Sequence, residues 1–268
     1  MEVRYSLTHP CAKCGHVSTF HKITDRRAYA CAHCGVHIYP CAGTIFQDSR
    51  TSLMSWYYAI YLFVATRHGV SGKELERQLG VTYKTAWRMG QQIRLLMGSA
   101  DPEGTLSGHI ELDEAYVGGR RRGGKRGRGA EGKTIVMGLK QRGGRIAAKV
   151  IPDVRKHTLR KIVLENVEPG SIVSTDELMS YGLLTGDGYK HSQVKHSEGD
   201  YAHYDYRTGD VAHTNHVENF WRLFKKSIAS THIHVSRKYM ARYLGEFTFR
   251  SNHRAMENAM FDLLIAAL

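Results

Sequence analysis

Residues 108–129 read GHIELDEAYVGGRRRGGKRGRG, and the alternation in the first ten positions decides how the rest of the chain is read. Ile110 and Leu112 fall on one side of a two-residue period, Glu111 and Asp113 on the other. That is the pattern of a β-strand with one apolar face. Directly after it, Arg120, Arg121, Arg122, Lys125, Arg126 and Arg128 crowd a glycine-rich loop. A dense acidic cluster beside a dense basic loop has two explanations. One is a salt-bridged surface. The other is that the acids hold metal ions and the bases grip the polyanion those metals attack.

The segments downstream favour the second. KTIVMGLKQRGG (133–144) and RIAAKVIPD (145–153) predict two more strands joined by a hairpin turn at Gly143-Gly144. KHTLRKIVLENVEPG (156–170) predicts an amphipathic helix, SIVSTDE (171–177) a short apolar strand ending at Asp176, and HSQVKHS (191–197) a weak fifth strand. NHVENFWRLFKKSI (215–228) predicts a helix with Val217, Phe220, Trp221, Phe224 and Ile228 on one stripe. Three strands, a helix, a strand and then helices is the order of the ribonuclease H-like fold, an α+β or α/β class in which helices flank a mixed sheet.

That fold sets the first and fourth strands side by side. Asp113 and Asp176 are then expected to end adjacent strands on one rim, with Glu218 supplied by the following helix. Three converging carboxylates repel one another unless cations neutralise them. Hard oxygen donors suit Mg²⁺ or Mn²⁺, held as a pair for in-line attack on a phosphodiester. Each acid also has a plain structural alternative. Asp113 is an edge-strand acid with Glu111 and Glu114 as competitors, Asp176 a helix cap, and Glu218 half of a surface pair with Arg222 four residues on.

Upstream, CAKC (11–14) and CAHC (31–34) are two C-x-x-C knuckles, each followed by a glycine. At this separation they predict a zinc ribbon, with Cys11, Cys14, Cys31 and Cys34 closing a structural tetrahedral site. Two disulfides are the alternative, disfavoured in a reducing compartment. His16, His33 and His37 are spare ligands at best, and Cys41 is read as a small buried residue. Residues 53–69 predict a long apolar helix, too short to span a bilayer and without signal-peptide layout. SGKELERQLG (71–80) predicts a second helix between an N-cap at Ser71 and a stop at Gly80, and a third helix opens at Thr82. This is the helix-turn-helix pattern, in which Tyr83, Lys84, Thr85 and Arg88 face a DNA groove. A plain helical bundle is the alternative.

The 268 residues carry a formal charge of +13, which points to a polyanion, most simply nucleic acid. The expected organisation is a zinc ribbon over 1–46, a helical DNA-binding segment over 47–100 and a catalytic domain over 105–268. The expected setting is the bacterial cytoplasm, at the nucleoid.

The zinc ribbon followed by GTIF, together with ELDEAYVGG, STDELMSYGLL, HTNHVENFWRLFKKSI and KYMARYLGEFTFRSNHR, resembles the ISXO-like DDE transposases of bacterial insertion sequences over almost the whole chain. The resemblance implies binding of terminal inverted repeats, 3′-end cleavage and strand transfer without a covalent protein–DNA intermediate. The implied partners are double-stranded DNA at element ends and target, and further copies of the chain in a homodimer or larger synaptic assembly. It also implies a DNA contact by Lys225, seven residues after Glu218. Related enzymes use Asn as third ligand. Glu218 is favoured here, with Asn215 and His213 as alternatives or as groups that orient substrate or metal-bound water. Two rival functions are a catalytically inert zinc-ribbon and helix-turn-helix regulator, and a metal-dependent ribonuclease H-like nuclease acting on RNA or hybrids.

Overall fold

The computed structural model describes Ser6, residues 8–118 and residues 132–268, apart from the side chains of residues 257 and 258. The basic residues Arg120, Arg121, Arg122, Lys125, Arg126 and Arg128 lie outside the described residues. The chain divides into two compact units, residues up to 96 with 257–268, and residues 97–256.

The first unit opens with a four-stranded antiparallel sheet, β1 (Thr8–Pro10), β2 (Val17–Lys22), β3 (Tyr29–Cys31) and β4 (His37–Ile38), paired in chain order. Its small core is Phe20 with Cys11 and Cys31. Three helices follow: α1 (Leu53–Ala65), α2 (Gly72–Leu79) and α3 (Tyr83–Ser99). Ser71 caps α2 by accepting from the Glu74 amide at 3.0 Å. Gly80 ends the helix in the left-handed conformation, φ 63°, where a side chain would cost energy. At Gly90 on α3 a Cβ would meet the end of the Arg94 side chain at 3.0 Å and make only ordinary contact with Leu75 on α2 and Phe63 on α1, at 3.4 and 3.6 Å. The last helix of the chain, Met260–Ala266, packs on α1 and counts with this unit.

The second unit is a mixed five-stranded sheet flanked by helices. Its strands are β5 (His109–Val117), β6 (Thr134–Gln141), β7 (Ile146–Ile151), β8 (Ile172–Thr175) and β9 (Lys190–Gln193), in the spatial order β7-β6-β5-β8-β9. β5 pairs antiparallel with β6 and β6 with β7, while β8 lies parallel to both β5 and β9. On one face, Ile110 and Leu112 join Met137, Leu139 and Val173 against Leu159, Ile162 and Val163 of α4 (Lys156–Asn166). On the other, Ala115, Val117, Val136 and Ile146 meet the stripe Val217, Phe220, Trp221, Phe224 of α5 (Asn215–Ser227) and Tyr243, Leu244, Phe247 of α6 (Met240–Asn252). Burying each such large side chain contributes about 1.5–3 kcal/mol, so α5 is held to the sheet by its expected stripe. A small hairpin, β10 (His203–Asp205) and β11 (Asp210–Ala212), precedes α5.

Among the described residues no helix is long and apolar enough to cross a membrane. Cys41 is half-buried rather than buried. It lies in the turns after β4 and is not among the residues of the small core around Cys11 and Cys31.

Candidate active site and metal centre

Two knuckles of equal build bring the four cysteines together. The Cys11 amide donates to the His16 carbonyl and the Cys31 amide to the Val36 carbonyl, each at 2.9 Å. Gly15 and Gly35 take φ of 73° and 70°, which lets the chain turn after each pair. The four thiols lie within 4.8 Å of one another, and Sγ of Cys11 is 3.7 Å from Sγ of Cys34. Corners of a tetrahedron around an ion about 2.3 Å away stand about 3.8 Å apart, so the donors fit zinc. The Ser18 hydroxyl, 3.2 Å from Cys31 Sγ, is the chief reason that thiol is held down to about 6, toward the thiolate a metal needs. His16, His33 and His37 are exposed and stand outside the four-thiol set.

In the helical segment, Tyr83 and Lys84 are exposed and Thr85 is half-buried. The Lys73 ammonium sits 5.0 Å from the centre of the Tyr83 ring. Arg88 donates to the Gln47 carbonyl at 2.8 Å.

The second donor set is built where β5 and β8 run side by side. In this parallel pair Glu111 is opposite Ser174. Asp113 stands two residues further along β5, and Asp176 two residues after Ser174, one past the end of β8. Asp176 leaves its strand in a turn, its Oδ1 accepting from the Leu178 amide at 3.0 Å. Toward β6, Asp113 is opposite Gly138. A Cβ on Gly138 would lie 2.8 Å from Trp221 and 2.9 Å from Val217. The missing side chain lets α5 lie against the sheet in the row of Asp113, which brings up Glu218 in the first turn of that helix. Glu218 accepts from the Thr214 hydroxyl at 2.7 Å and lies 3.3 Å from His196 Nε2. Arg222, its expected surface partner, donates to Asn219.

The electrostatics register this convergence. Burial, and then the charges of Glu114, Asp176 and Glu218, push the Asp113 carboxyl up to about 8. Glu114 accepts from the hydroxyl of Tyr181, a residue buried in the core on the α4 face. Lys225 is exposed, two turns of α5 beyond Glu218, and lines a groove of about 200 Å³ with Tyr116, Val117, Gly118 and His234. Asn215 is exposed at the start of α5. His213 is half-buried, its Nδ1 lying 3.0 Å from Glu111 without making a hydrogen bond to it.

Sequence reading sets Glu111 aside as a competitor of Asp113, and the structure gives it a different environment. It is fully buried. Its carboxylate accepts from Arg142 Nε at 2.9 Å and from the backbone amides of His216 and Val217 at 2.8 and 3.2 Å, and it lies 2.7 Å from His216 Nδ1. Burial alone would raise this carboxyl. The hydrogen bonds from His216 and Arg142 outweigh it and hold the group below its ordinary value. Glu111, His213 and His216 offer atoms within 4.8 Å of one another, a spacing that suits a metal. The Arg142 guanidinium already fills the place of the cation, and a divalent ion there would be repelled by it. Beside this cluster, His109 lies 2.7 Å from both Asp210 and Ser174. These are the distances of a hydrolase relay, but Ser174 is wholly buried and out of reach of substrate. Only the two-residue alternation of Glu111 and Asp113 hints at a second acid on this face; Arg142 sits in a hairpin turn with no local sign of its reach.

Residues 105–252 match the ISXO2-like transposase domain. Over 241 residues the chain is 30% identical to an "Uncharacterized protein in transposable element ISH50" of Halobacterium salinarum, a match spanning 83% of this chain and 77% of that one. It is 28% identical over 109 residues to an "Uncharacterized transposase-like protein" of Haemophilus influenzae, spanning 41% of this chain and 82% of that one. A chain in the cryoEM structure of the simian T-cell lymphotropic virus intasome in complex with PP2A regulatory subunit B56 gamma aligns at 11% identity with a TM-score of 0.30. That alignment covers 69% of this chain and 63% of the other, less than two thirds of its length.

Proposed function

This chain belongs to the ISXO2-like transposase family, and we propose that it binds the terminal inverted repeats of an insertion sequence and cleaves and joins DNA strands there. In this reading Asp113, Asp176 and Glu218 hold two Mg²⁺ or Mn²⁺ ions, on a ribonuclease H-like unit. The observation that carries it is the position of Asp113. The register of β5 and β8 ends with Glu111 opposite Ser174; Asp113 lies two residues on along β5, and Asp176 two residues on from Ser174, just past the end of β8. Glu218 is close enough for its charge to help push Asp113 up. The strand order and directions support the fold assignment.

The donor chemistry fits. Carboxylates crowded until one of them resists ionising form a site that gains by taking up hard cations. When bound, such a pair of ions activates a water or 3′-hydroxyl and stabilises the leaving oxygen of a phosphodiester. The chain's own part is to hold the three acids at one point, with Asp113 on β5, Asp176 in the turn just past β8 and Glu218 on a helix seated in the gap at Gly138. Lys225, two turns further along that helix, contacts a DNA phosphate beside the cut. Glu218 is the third ligand in this reading because its charge acts on Asp113. Zinc on Cys11, Cys14, Cys31 and Cys34 is structural. Tyr83, Lys84, Thr85 and Arg88, and the basic residues 120–128, are DNA contacts, and two or more copies bring the element ends together.

The test is incubation of the zinc-loaded protein with DNA carrying the inverted repeats and Mg²⁺, scored for nicks at the repeat ends. Nicks at those ends are expected. Binding of the ends without cutting under any divalent metal would hand the case to the inert regulator.

A further inference from the structure

Glu111 and Asp113 face the same way from β5, yet only Asp113 belongs to the proposed metal site. Both oxygens of Glu111 are fully used: one accepts from Arg142 Nε and faces His216 Nδ1, the other accepts from the amides of His216 and Val217. Those two amides belong to the first turn of α5, where backbone N–H groups have no partner within the helix. A residue at the helix start ordinarily satisfies them. Here Thr214, at the cap position, makes no such bond, and its hydroxyl donates to Glu218. The cap of α5 therefore comes from the sheet.

This ties two lengths of chain in register. Val217 is held to Glu111, and Glu218 is the next residue on the helix as Asp113 is two on along the strand. Arg142 secures the same junction from the β6–β7 turn. Besides Glu111, it donates to the carbonyls of Val211 at 2.6 Å and His213 at 3.1 Å, in the segment that leads into α5. A charged, fully desolvated carboxylate with donors from two separate segments is a rigid joint, because each donor it loses leaves a buried charge less compensated.

We infer that Glu111 is a positioning residue: it caps α5 from within the sheet and so fixes Glu218 against Asp113 for metal binding. The inference rests on the carboxylate reading proposed above.

The test uses the full-length zinc-loaded protein with Glu111→Gln, which keeps the shape and removes the charge. Hydrogen exchange at the amides of His216 and Val217 should quicken about 10-fold, while the β6 amides keep the parental rate. Mn²⁺ affinity of the DNA-free protein, measured by calorimetry, should fall about 10-fold, as removal of a supporting partner typically does to a metal site. Cleavage should fall with it and recover in part at high Mn²⁺, with affinity for the ends unchanged. Parental exchange at both amides together with parental Mn²⁺ affinity overturns the inference. So does faster exchange throughout the sheet, which marks general loosening. Should Glu111→Gln fail to fold, His216→Ala replaces it, since that side chain is half exposed. It should weaken Mn²⁺ binding about threefold, a milder form of the same loss, and parental affinity there overturns the inference. Asp113→Ala separates the two levels. If it binds Mn²⁺ like the parent, the carboxylate reading fails and the positioning role with it. If Asp113→Ala loses Mn²⁺ and Glu111→Gln does not, only the positioning role fails.

Discussion

The thiol cluster of the first unit and the carboxylate cluster of the second are both candidate metal sites, and they are assembled by opposite means. Each thiol pair comes from one tight turn, so the chain has only two pieces to bring together. The three acids come one each from β5, the end of β8 and α5, and none is near another in sequence. The thiols gather within 4.8 Å, where the Cys31 thiol is held down to about 6 while burial and the neighbouring cysteines push the Cys14 thiol up to about 11. The acids oppose their own gathering, and the cost shows as an Asp113 carboxyl pushed up to about 8. A closed four-ligand site takes its stability from its ion. A site of mutually repelling acids takes its stability from the rest of the fold, and stays ready to bind cations and substrate. The apolar stripe of α5 provides much of that support.

The largest effect expected from this contrast is on the thiol side. Cys31→Ser, or strong chelation, should release one zinc per chain and unfold the four-stranded sheet, because its core of Phe20, Cys11 and Cys31 is too small to stand alone. Metal analysis with circular dichroism checks this. Retention of the fold after zinc loss would erase the distinction between the two sites.

Next comes the chemistry. Asp113→Ala, Asp176→Ala and Glu218→Ala should each lower end cleavage by about 10³-fold or more, the several kcal/mol that metal-assisted charge stabilisation supplies. Pairs of these changes should lose little more than single ones, because the three act as a unit. The fold should survive each change, in contrast to Cys31→Ser. Asn215→Ala should leave more activity than Glu218→Ala; the reverse ranking moves the third ligand to Asn215.

A smaller effect is expected at Gly138. Its substitution by Ala puts a methyl 2.8 Å from Trp221 and 2.9 Å from Val217. Overpacking of this kind costs about 1–3 kcal/mol, and about 2–4 °C in Tm per kcal/mol is expected for a chain of this size. Cleavage should suffer more than stability, up to about 100-fold, since a shift of about 1 Å in α5 displaces Glu218 from Asp113. Parental Tm and rate together would show that the close approach of α5 does not set the site.

What was legible in the sequence follows the same division. The zinc knuckles, the Ser71 cap, the Gly80 stop and the stripe of α5 are local patterns, and each stands where spacing predicts it. The adjacency of the first and fourth strands was expected from the ribonuclease H-like element order, and β5 does pair with β8; the full strand order was not legible from the apolar pattern, and the fifth segment, HSQVKHS, is barely apolar. Nor was the role of Glu111. Alternation puts it on the face of Asp113, but its neutralising partners come from residues 142 and 216, which no local pattern connects. An isolated glycine in a strand signals a close approach, yet at Gly138 nothing in the strand says that Trp221 makes it. The β10–β11 hairpin escapes for a simpler reason: HYDYRTGDVA has no sustained apolar alternation.

The last expected effect is on stability alone, and it has a sign that separates Asp113 from an ordinary surface acid. Its carboxyl is raised from 3.8 to about 8 in the folded protein, so folding favours the protonated form. The contribution is therefore fully present below about pH 4 and lost as pH rises through about 8. Asp113→Asn stays neutral throughout. In metal-free buffer the parent and this variant should melt alike near pH 4, and the variant should melt higher at pH 8. By linkage the rise from 3.8 to about 8 corresponds to up to about 5 kcal/mol at pH 8, a gap of about 10 °C or more. Mg²⁺ should narrow the gap or reverse it at pH 8, because it stabilises the charged form of the parent and has less to bind in the variant. A raised carboxyl must also give up its proton when a cation binds, so Mg²⁺ titration of the parent near pH 7 should release protons, detectable in buffers of different ionisation enthalpy. If Asp113→Asn melts lower than the parent at pH 8 without metal, the carboxylate at 113 is being stabilised by a partner rather than opposed by its neighbours, and the contrast with the compensated Glu111 two residues away disappears.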